Sequence, residues 1–237
     1  MPCANCKCPF NELRAENGPF SADGVLCMLS TAVQDTRFAR GENLFLQGQT
    51  SSSLYSLTSG MVKIWSHDTD GREQIVGLAS PGKLLVGLQS LNDPRYIYSA
   101  TAATEVHACR INHRALLESM RDRTDIAIRL IDAVNTQLAH SRALMQAMGH
   151  KCAAAKIASF LLLMAPGSKQ GNGRFQLPFS RLEIAGLLGL SEETVCRMMA
   201  NMKRSGVIHA PRGSIEVKDR GRLRAIADGA AREHPAA

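Results

Sequence analysis

Cysteine is the residue type in this chain best suited to hold a metal or to carry redox chemistry. The 237 residues contain seven cysteines: Cys3, Cys6, Cys8, Cys27, Cys109, Cys152 and Cys196. An odd count is a poor basis for a disulfide framework, and the first residues have neither the basic flank nor the apolar core of a secretory signal. The sequence therefore favours metal or redox chemistry at the cluster of three near the N-terminus.

A second pair of chemically capable residues, Glu193 and Arg197, is separated by four positions. On a helix both lie on one face, where an arginine can donate two hydrogen bonds to guanine and a glutamate can accept one from a base amino group. The alternative is an exposed ion pair on a surface helix, worth only a few tenths of a kcal/mol. We favour base reading because the opposite side of this helix has an apolar stripe suited to face the core. The stripe consists of Val195, Met198, Met199 and Met202.

The residues before this pair predict two helices joined by a tight turn. The stretch Ser180-Arg181-Leu182-Glu183 has the spacing of a capping box and predicts a helix start. Gly189 suits the positive φ of the turn, and Leu190 is predicted to be buried there. Ser191 is predicted to cap a second helix over residues 192–205. This is the spacing of a helix-turn-helix.

The C-terminal part of the chain is also predicted to attract phosphates. Residues 151–237 carry 14 Lys and Arg against 7 Asp and Glu, whereas residues 1–150 carry 14 against 14, so the whole net charge of +7 lies in this part. Residues 207–217 alternate and turn like a β-hairpin, which predicts a wing containing Arg212. We expect Lys203 and Arg212 to contact the DNA backbone.

The middle of the chain predicts short antiparallel strands. Between residues 38 and 117, short apolar runs are interrupted by glycines at positions 41, 48, 60, 71, 77, 82 and 87. The segment Asp68-Thr69-Asp70-Gly71-Arg72 is typical of a hairpin connection. We therefore expect an antiparallel β-barrel or roll.

A heptad repeat follows and predicts a long helix that contacts a second copy of the chain. Its apolar or small residues recur at alternating steps of three and four, a spacing that favours self-association over packing on the chain's own domain. We call this set the seam: Thr124, Ala127, Ile131, Val134, Leu138, Ser141, Met145 and Met148. Gly149 is predicted to end the helix, and a second apolar helix is predicted from Cys152 to Met164.

These elements predict an α+β protein of four parts. They are a cysteine-containing N-terminal segment (1–30), an antiparallel β-roll sensor domain (31–120), a long dimerisation helix (121–149) and a winged helix-turn-helix domain (150–237). No apolar run approaches the roughly 20 residues that span a bilayer. We therefore expect a cytoplasmic protein without a membrane partner.

The chain resembles the CRP/FNR family, and more closely its FNR-like branch. The resemblance rests on Phe179-Ser180-Arg181, on residues 189–197 and on the roll segment Gly48-(x)5-Leu54-Tyr55-(x)4-Gly60. It implies a cyclic-nucleotide-binding-like roll and a homodimer that binds an inverted repeat of TTGAT-like half-sites in double-stranded DNA. RNA polymerase is the implied further partner, and activation the implied effect. The implied DNA-binding residues are Ser180, Arg181, Ser191, Glu193, Thr194, Cys196, Arg197, Lys203 and Arg212.

The resemblance also bears on the signal. Members that bind cyclic AMP have a Gly-Glu pair and an Arg-Ser pair around the nucleotide, whereas this chain has Val86-Gly87-Leu88-Gln89 and Pro94-Arg95-Tyr96-Ile97. We therefore expect no cyclic nucleotide. Cys196 stands where FNR-like members usually have serine, which leaves the outermost base of the half-site open.

Oxygen sensors of the FNR type hold a [4Fe-4S] cluster with three N-terminal cysteines and one from the roll. The resemblance implies the ligand set Cys3, Cys6, Cys8 and Cys109, with Cys27 as a rival third ligand because the C-x2-C-x-C spacing is shorter than usual. Zinc or a redox-active thiol site is the alternative. We interpret Cys152 and Cys196 as packing or recognition-helix residues.

Three further expectations complete this interpretation. Oxygen-gated members place an acidic residue in the dimer helix where this chain has Ser141, so we expect a dimer that exists without the cofactor. A heme-based sensor of nitric oxide or carbon monoxide is an alternative, with ligands among His67, His107, His113, His140 and His150. A cupin-like metalloenzyme is disfavoured, since the predicted roll contains only His67 and His107 and we expect no catalysis.

Overall fold

The computed structural model describes residues 33–67, 69–71, 73–81, 85–87, 95–150, 152–165, 174–211 and 214–229. The chain divides into two compact units, one up to His140 and one from Ser141. This division falls within the long helix, whereas the sequence analysis placed a domain limit at each end of it.

The described residues of the first unit form eight strands in two four-stranded antiparallel sheets. The strands are β1 (Val33–Phe38), β2 (Asn43–Phe45), β3 (Ser53–Ser59), β4 (Val62–His67), β5 (Glu73–Ala79), β6 (Leu85–Val86), β7 (Ser99–Ala102) and β8 (Val106–Asn112). The sheet orders are β1-β8-β3-β6 and β2-β7-β4-β5. The predicted antiparallel roll is therefore confirmed. In the connection between β4 and β5, Gly71 has the expected positive φ of 76°.

One apolar core draws on both sheets of this unit. Leu57 of β3 and Ala108 of β8 contribute to it from one sheet, and Val62 of β4 contributes from the other. Because successive side chains of a strand point to opposite faces, Cys109 and Ile111 lie on the other face of β8. Both are buried there as well.

Two helices follow β8. They are α1 (His113–Asp122) and α2 (Thr124–Gly149). Asn112 caps α1 by accepting a hydrogen bond from the amide of Ala115. The predicted end of the long helix at Gly149 is confirmed.

Most of the seam is exposed on α2. Ile131 and Met145 are each 60% exposed, which is unusual for large apolar side chains. Val134, Leu138 and Met148 are exposed too, as is Ser141, whereas Ala127 is half-buried.

Where it is described, the second unit combines a three-stranded sheet with four helices. Its elements are α3 (Ala153–Met164), β9 (Arg174–Gln176), α4 (Arg181–Leu188), α5 (Glu192–Arg204), β10 (Ile208–His209), β11 (Ser214–Val217) and α6 (Arg220–Ala227). The sheet order is β10-β11-β9. The predicted wing hairpin is β10 and β11, and β9 is a third strand that the sequence analysis missed. Helix α3 packs against α5 and α6.

Two expectations for single residues in this unit were wrong. Leu190 was predicted to be buried in the turn but is only half-buried. Cys152, interpreted as a packing residue, is exposed and caps α3, where its Sγ accepts a hydrogen bond from the amide of Ala155. Within the described parts of the chain, no helix is long and apolar enough to cross a membrane.

Candidate nucleic-acid interface

The start of α4 and the turn after it are fixed by local interactions. Ser180 Oγ accepts a hydrogen bond from the amide of Glu183 at 3.1 Å, and Glu183 Oε2 accepts one from the amide of Ser180 at 2.8 Å. Gly189 ends the helix with φ of 61°. A Cβ atom at Gly189 would meet nothing within 4 Å, so the backbone conformation, and not space, favours glycine here.

The next helix, α5, is fixed by a cap at its N-terminus and by buried side chains on one face. Ser191 Oγ accepts a hydrogen bond from the amide of Thr194 at 3.2 Å, which caps the first turn. Val195, Met199 and Met202 are buried on one side of the helix. This burial fixes the rotation of α5 about its axis and so decides which residues face outward.

The outward face of α5 presents the predicted pair. The side chain of Glu193 is 86% exposed and that of Arg197 is 59% exposed, and their charged groups lie 3.6 Å apart. Cys196 is exposed beside them. An exposed pair at this distance contributes little to stability, so separating the two side chains costs little free energy.

The remaining predicted contacts are spread around this pair. Lys203 is exposed in the last turn of α5, about 15 Å along the helix axis from Glu193. Arg181 is half-buried at the start of α4. The hydroxyls of Ser180 and Ser191 already accept backbone hydrogen bonds as caps. Arg212 lies outside the described residues.

The charges along α5 agree with the dipole of the helix. Glu192 and Glu193 occupy the first turn, and Lys203 and Arg204 the last. Acidic groups near the N-terminus and basic groups near the C-terminus each stabilise a helix by about 0.3–1 kcal/mol when exposed.

Among the predicted metal ligands, only Cys109 lies within the described residues; Cys3, Cys6, Cys8 and Cys27 do not. Cys109 is 5% exposed and lies between Asp35 of β1 and Ser56 of β3 in the strand register. Its face of β8 is opposite to the core that Ala108 joins. The Cys109 side chain is therefore buried without belonging to the apolar core of the roll.

Two histidines of the alternative sites lie in different sheets of the roll. His67 is exposed at the end of β4, whereas His107 lies on β8 in the other sheet, with its ring 3.5 Å from Glu105. Where the chain is described, no three His, Cys, Asp or Glu side chains are grouped so that they can hold a metal ion.

An aromatic cluster that the sequence analysis missed occupies the interior of the roll. The rings of Phe45 and Tyr96 stack with centroids 3.8 Å apart, and Tyr55 and Tyr98 pack beside them. A Cβ atom at Gly87 would lie 3.2 Å from each of the two stacked rings, and Gly87 has φ of 87°. Burial raises the pKa of Tyr96 and of Tyr98, so both hydroxyls stay protonated at neutral pH.

Two families of domains match the chain. A Crp-like helix-turn-helix domain matches residues 155–226, and a cyclic nucleotide-binding domain matches residues 35–123. With the fold above, these matches define a DNA-binding protein that joins a winged helix-turn-helix domain to an antiparallel β-roll.

Similar whole proteins narrow this class. The transcriptional activator protein FnrA of Stutzerimonas stutzeri is 32% identical over 194 residues, which are 81% of this chain and 79% of FnrA. A cAMP-activated, CRP-like global regulator of Mycobacterium tuberculosis is 28% identical over 90% of this chain and 98% of its own. The structure of FixK2 from Bradyrhizobium japonicum superposes with a TM-score of 0.73 at 25% identity, covering 82% of this chain and 96% of FixK2.

The chain belongs to the CRP/FNR family of DNA-binding transcription regulators. Both the resemblance inferred from the sequence and the expectation that the protein is not an enzyme are confirmed by these relatives.

Proposed function

We propose that this protein is a homodimeric transcription activator that binds an inverted repeat of TTGAT-like half-sites in the cytoplasm and contacts RNA polymerase. We further propose that it responds to oxygen or redox state through a [4Fe-4S] cluster. The observation that carries the DNA-reading part is the exposed pair of Glu193 and Arg197 on the outward face of α5.

Side chains near the start of a recognition helix lie against the base edges of the major groove. Arg197 is suited to the O6 and N7 atoms of guanine, and Glu193 to a cytosine or adenine amino group. Together they select a guanine-containing step such as that of a TTGAT-like half-site. Cys196, beside Arg197, is placed to influence the neighbouring outer base.

Selection of bound duplexes from a random DNA pool tests this function. Two copies related by a twofold axis place their recognition helices about one helical turn of DNA apart. The enriched sequences should therefore contain two inverted half-sites, with a centre-to-centre spacing of about 10 base pairs. Enrichment of single, unrepeated sites would contradict the dimer, and no enrichment would contradict sequence reading.

The exposed seam supports the homodimer. A row of exposed isoleucine, valine, leucine and methionine side chains along one helix is costly in water and is covered when two such helices pack together. Ser141 leaves this row without an acidic residue at that position. The dimer should therefore form without the cofactor.

Cys109 supports the cluster, with Cys3, Cys6 and Cys8 as the further ligands and Cys27 as the rival third. Four thiolates are the ligand set of a [4Fe-4S] cluster, which when bound supplies sensitivity to oxygen. Cys109 is buried on the face of β8 opposite to the apolar core of the roll, and this burial shields the proposed ligand from solvent.

Anaerobic purification is expected to give a brown protein with about four iron and four sulfide ions per chain, lost on exposure to air. Cys109→Ser should abolish this content, because one of four thiolates is removed. Iron and sulfide assays with visible spectra measure both.

Cys152→Ser is the matched control, since serine caps a helix as well as cysteine and Cys152 is not a proposed ligand. A colourless protein that contains zinc would overturn the oxygen sensor. A Soret band in the absorption spectrum would instead show that the protein binds a heme.

Cyclic AMP and cyclic GMP are expected to leave the melting temperature unchanged. The two segments that correspond to the nucleotide-binding motifs bring Gly87 against Tyr96 and Phe45, so aromatic rings fill this part of the interior. A ligand at 100 times its Kd would stabilise the protein by about 2.7 kcal/mol, which thermal unfolding readily detects.

The cAMP-activated regulator of Mycobacterium tuberculosis is the positive control for this measurement. A rise in melting temperature that saturates with nucleotide concentration would show that the aromatic cluster opens to admit a ligand.

A further inference from the structure

The C-terminal end of α4 has a carbonyl group that the backbone leaves unsatisfied. Ala185 O accepts hydrogen bonds from the amides of Gly189 and Leu190, the latter at 2.9 Å. Leu188 O has no such backbone partner among the described contacts, and Leu188 is 0% exposed. Leu188 O instead accepts a hydrogen bond from Lys156 Nζ at 3.0 Å. Without this donor a buried acceptor would remain, which is destabilising.

Lys156 is an unusual residue in its own helix. It is the single charged residue of α3, and its neighbours Ala155 and Ile157 are buried. Lys156 is itself half-buried, and the buried part of a charged side chain is costly unless it is paired. Here it lies at the negative end of the α4 dipole, where a positive charge is favourable.

The C-terminal end of the recognition helix α5 has the same arrangement. Arg222 Nη1 donates a hydrogen bond to Ser205 O, the carbonyl of the C-cap residue, at 3.1 Å. Arg222 belongs to α6, whose start is capped by Asp219. Since α3 and α6 pack against each other, both helices of the helix-turn-helix receive a cation from one scaffold.

We propose that Lys156 and Arg222 are positioning residues that fix the helix-turn-helix on the α3–α6 scaffold and thereby sharpen discrimination between DNA sequences. The proposal rests on the DNA-reading function proposed above. Base contacts require placement within about 0.5 Å, whereas attraction to phosphates tolerates a looser helix. Loss of either cation should therefore reduce specific binding more than nonspecific binding.

The test compares the wild type with Lys156→Met, which keeps the length of the side chain but removes its charge. Binding is measured at several salt concentrations to a duplex that the wild type has selected from a random pool, and to a scrambled duplex of equal length and composition. Lys156→Met should bind the selected duplex about tenfold more weakly and the scrambled duplex nearly as well as the wild type, with an unchanged salt dependence. Lys156→Arg should restore discrimination, because it restores the charged donor.

Three results would overturn the proposal. Equal losses on both duplexes, with a salt slope shallower by about 1, would make Lys156 a direct phosphate contact. A lower melting temperature with unchanged discrimination would leave it a purely stabilising residue. If Lys156→Met does not fold, unchanged discrimination in Arg222→Met, which removes the donor from an exposed position, decides against the proposal.

A failure of the DNA-reading function itself is distinguishable from these results. In that case the wild type would enrich no sequence from the random pool, so the selection with the wild type alone would reveal the failure.

Discussion

Arg197→Ala is expected to weaken binding by about 1–3 kcal/mol, or about 5- to 150-fold, for each half-site that the dimer contacts, so the free-energy loss on the whole operator should be about twice as large. The reason is the loss of two hydrogen bonds to one guanine, so discrimination should fall at one base pair of the half-site and remain at the others. The free energy of unfolding should stay within about 0.5 kcal/mol of the wild type, because the ion pair of Arg197 with Glu193 is exposed. Quantitative binding to operators with single base changes measures the effect.

Lys203→Ala is the matched control for this variant. It also removes one exposed cation from α5, but from the last turn. It should weaken binding to all sequences about equally and reduce the salt slope by about 1 for each protomer bound. If Arg197→Ala gave this same uniform loss, Arg197 would contact only phosphate, and base reading would fall to other residues.

Ile131→Asp is expected to convert the protein to a monomer and to weaken operator binding by about 100-fold or more. In a twofold dimer the two new carboxylates would face each other in the seam, where like charges are costly. The single chain should tolerate the change, because Ile131 is 60% exposed in it. Light scattering after gel filtration measures the mass, and titration of the inverted repeat measures the binding.

Thr136→Asp introduces the same carboxylate at an exposed position on roughly the opposite side of α2. It should leave both the dimer and operator binding intact. A dimer that persists in Ile131→Asp would place the interface elsewhere, and a cluster-free wild type that elutes as a monomer would contradict the role given to Ser141.

Local features of the DNA-reading domain were predicted well from the sequence. The capping box at Ser180, the left-handed turn at Gly189 and the cap at Ser191 all lie where their spacing placed them. The same holds for the buried stripe of α5, except that Met198 is only half-buried. Each of these features depends on residues within a few positions of each other, so the local sequence determines it.

Contacts between segments that are distant in the chain could not be predicted from the local sequence. Strand β9 joins the wing sheet by pairing with β11, about 40 residues further along the chain. Tyr96 stacks on Phe45 from a segment whose local pattern shows no sign of this partner. The half-burial of Leu190 likewise depends on neighbours that the turn spacing does not reveal.

The sequence by itself determined the class of the protein, the helix that we propose reads DNA and the two side chains, Glu193 and Arg197, that face outward from it. Only the tertiary structure decided that Cys109 is buried on the outer face of β8 and that Lys156 and Arg222 hold the ends of the helix-turn-helix. The physical reason is that helix caps and helix faces arise from local hydrogen bonds and periodicity. The pairing of a buried carbonyl with a distant cation arises only when separate helices pack together.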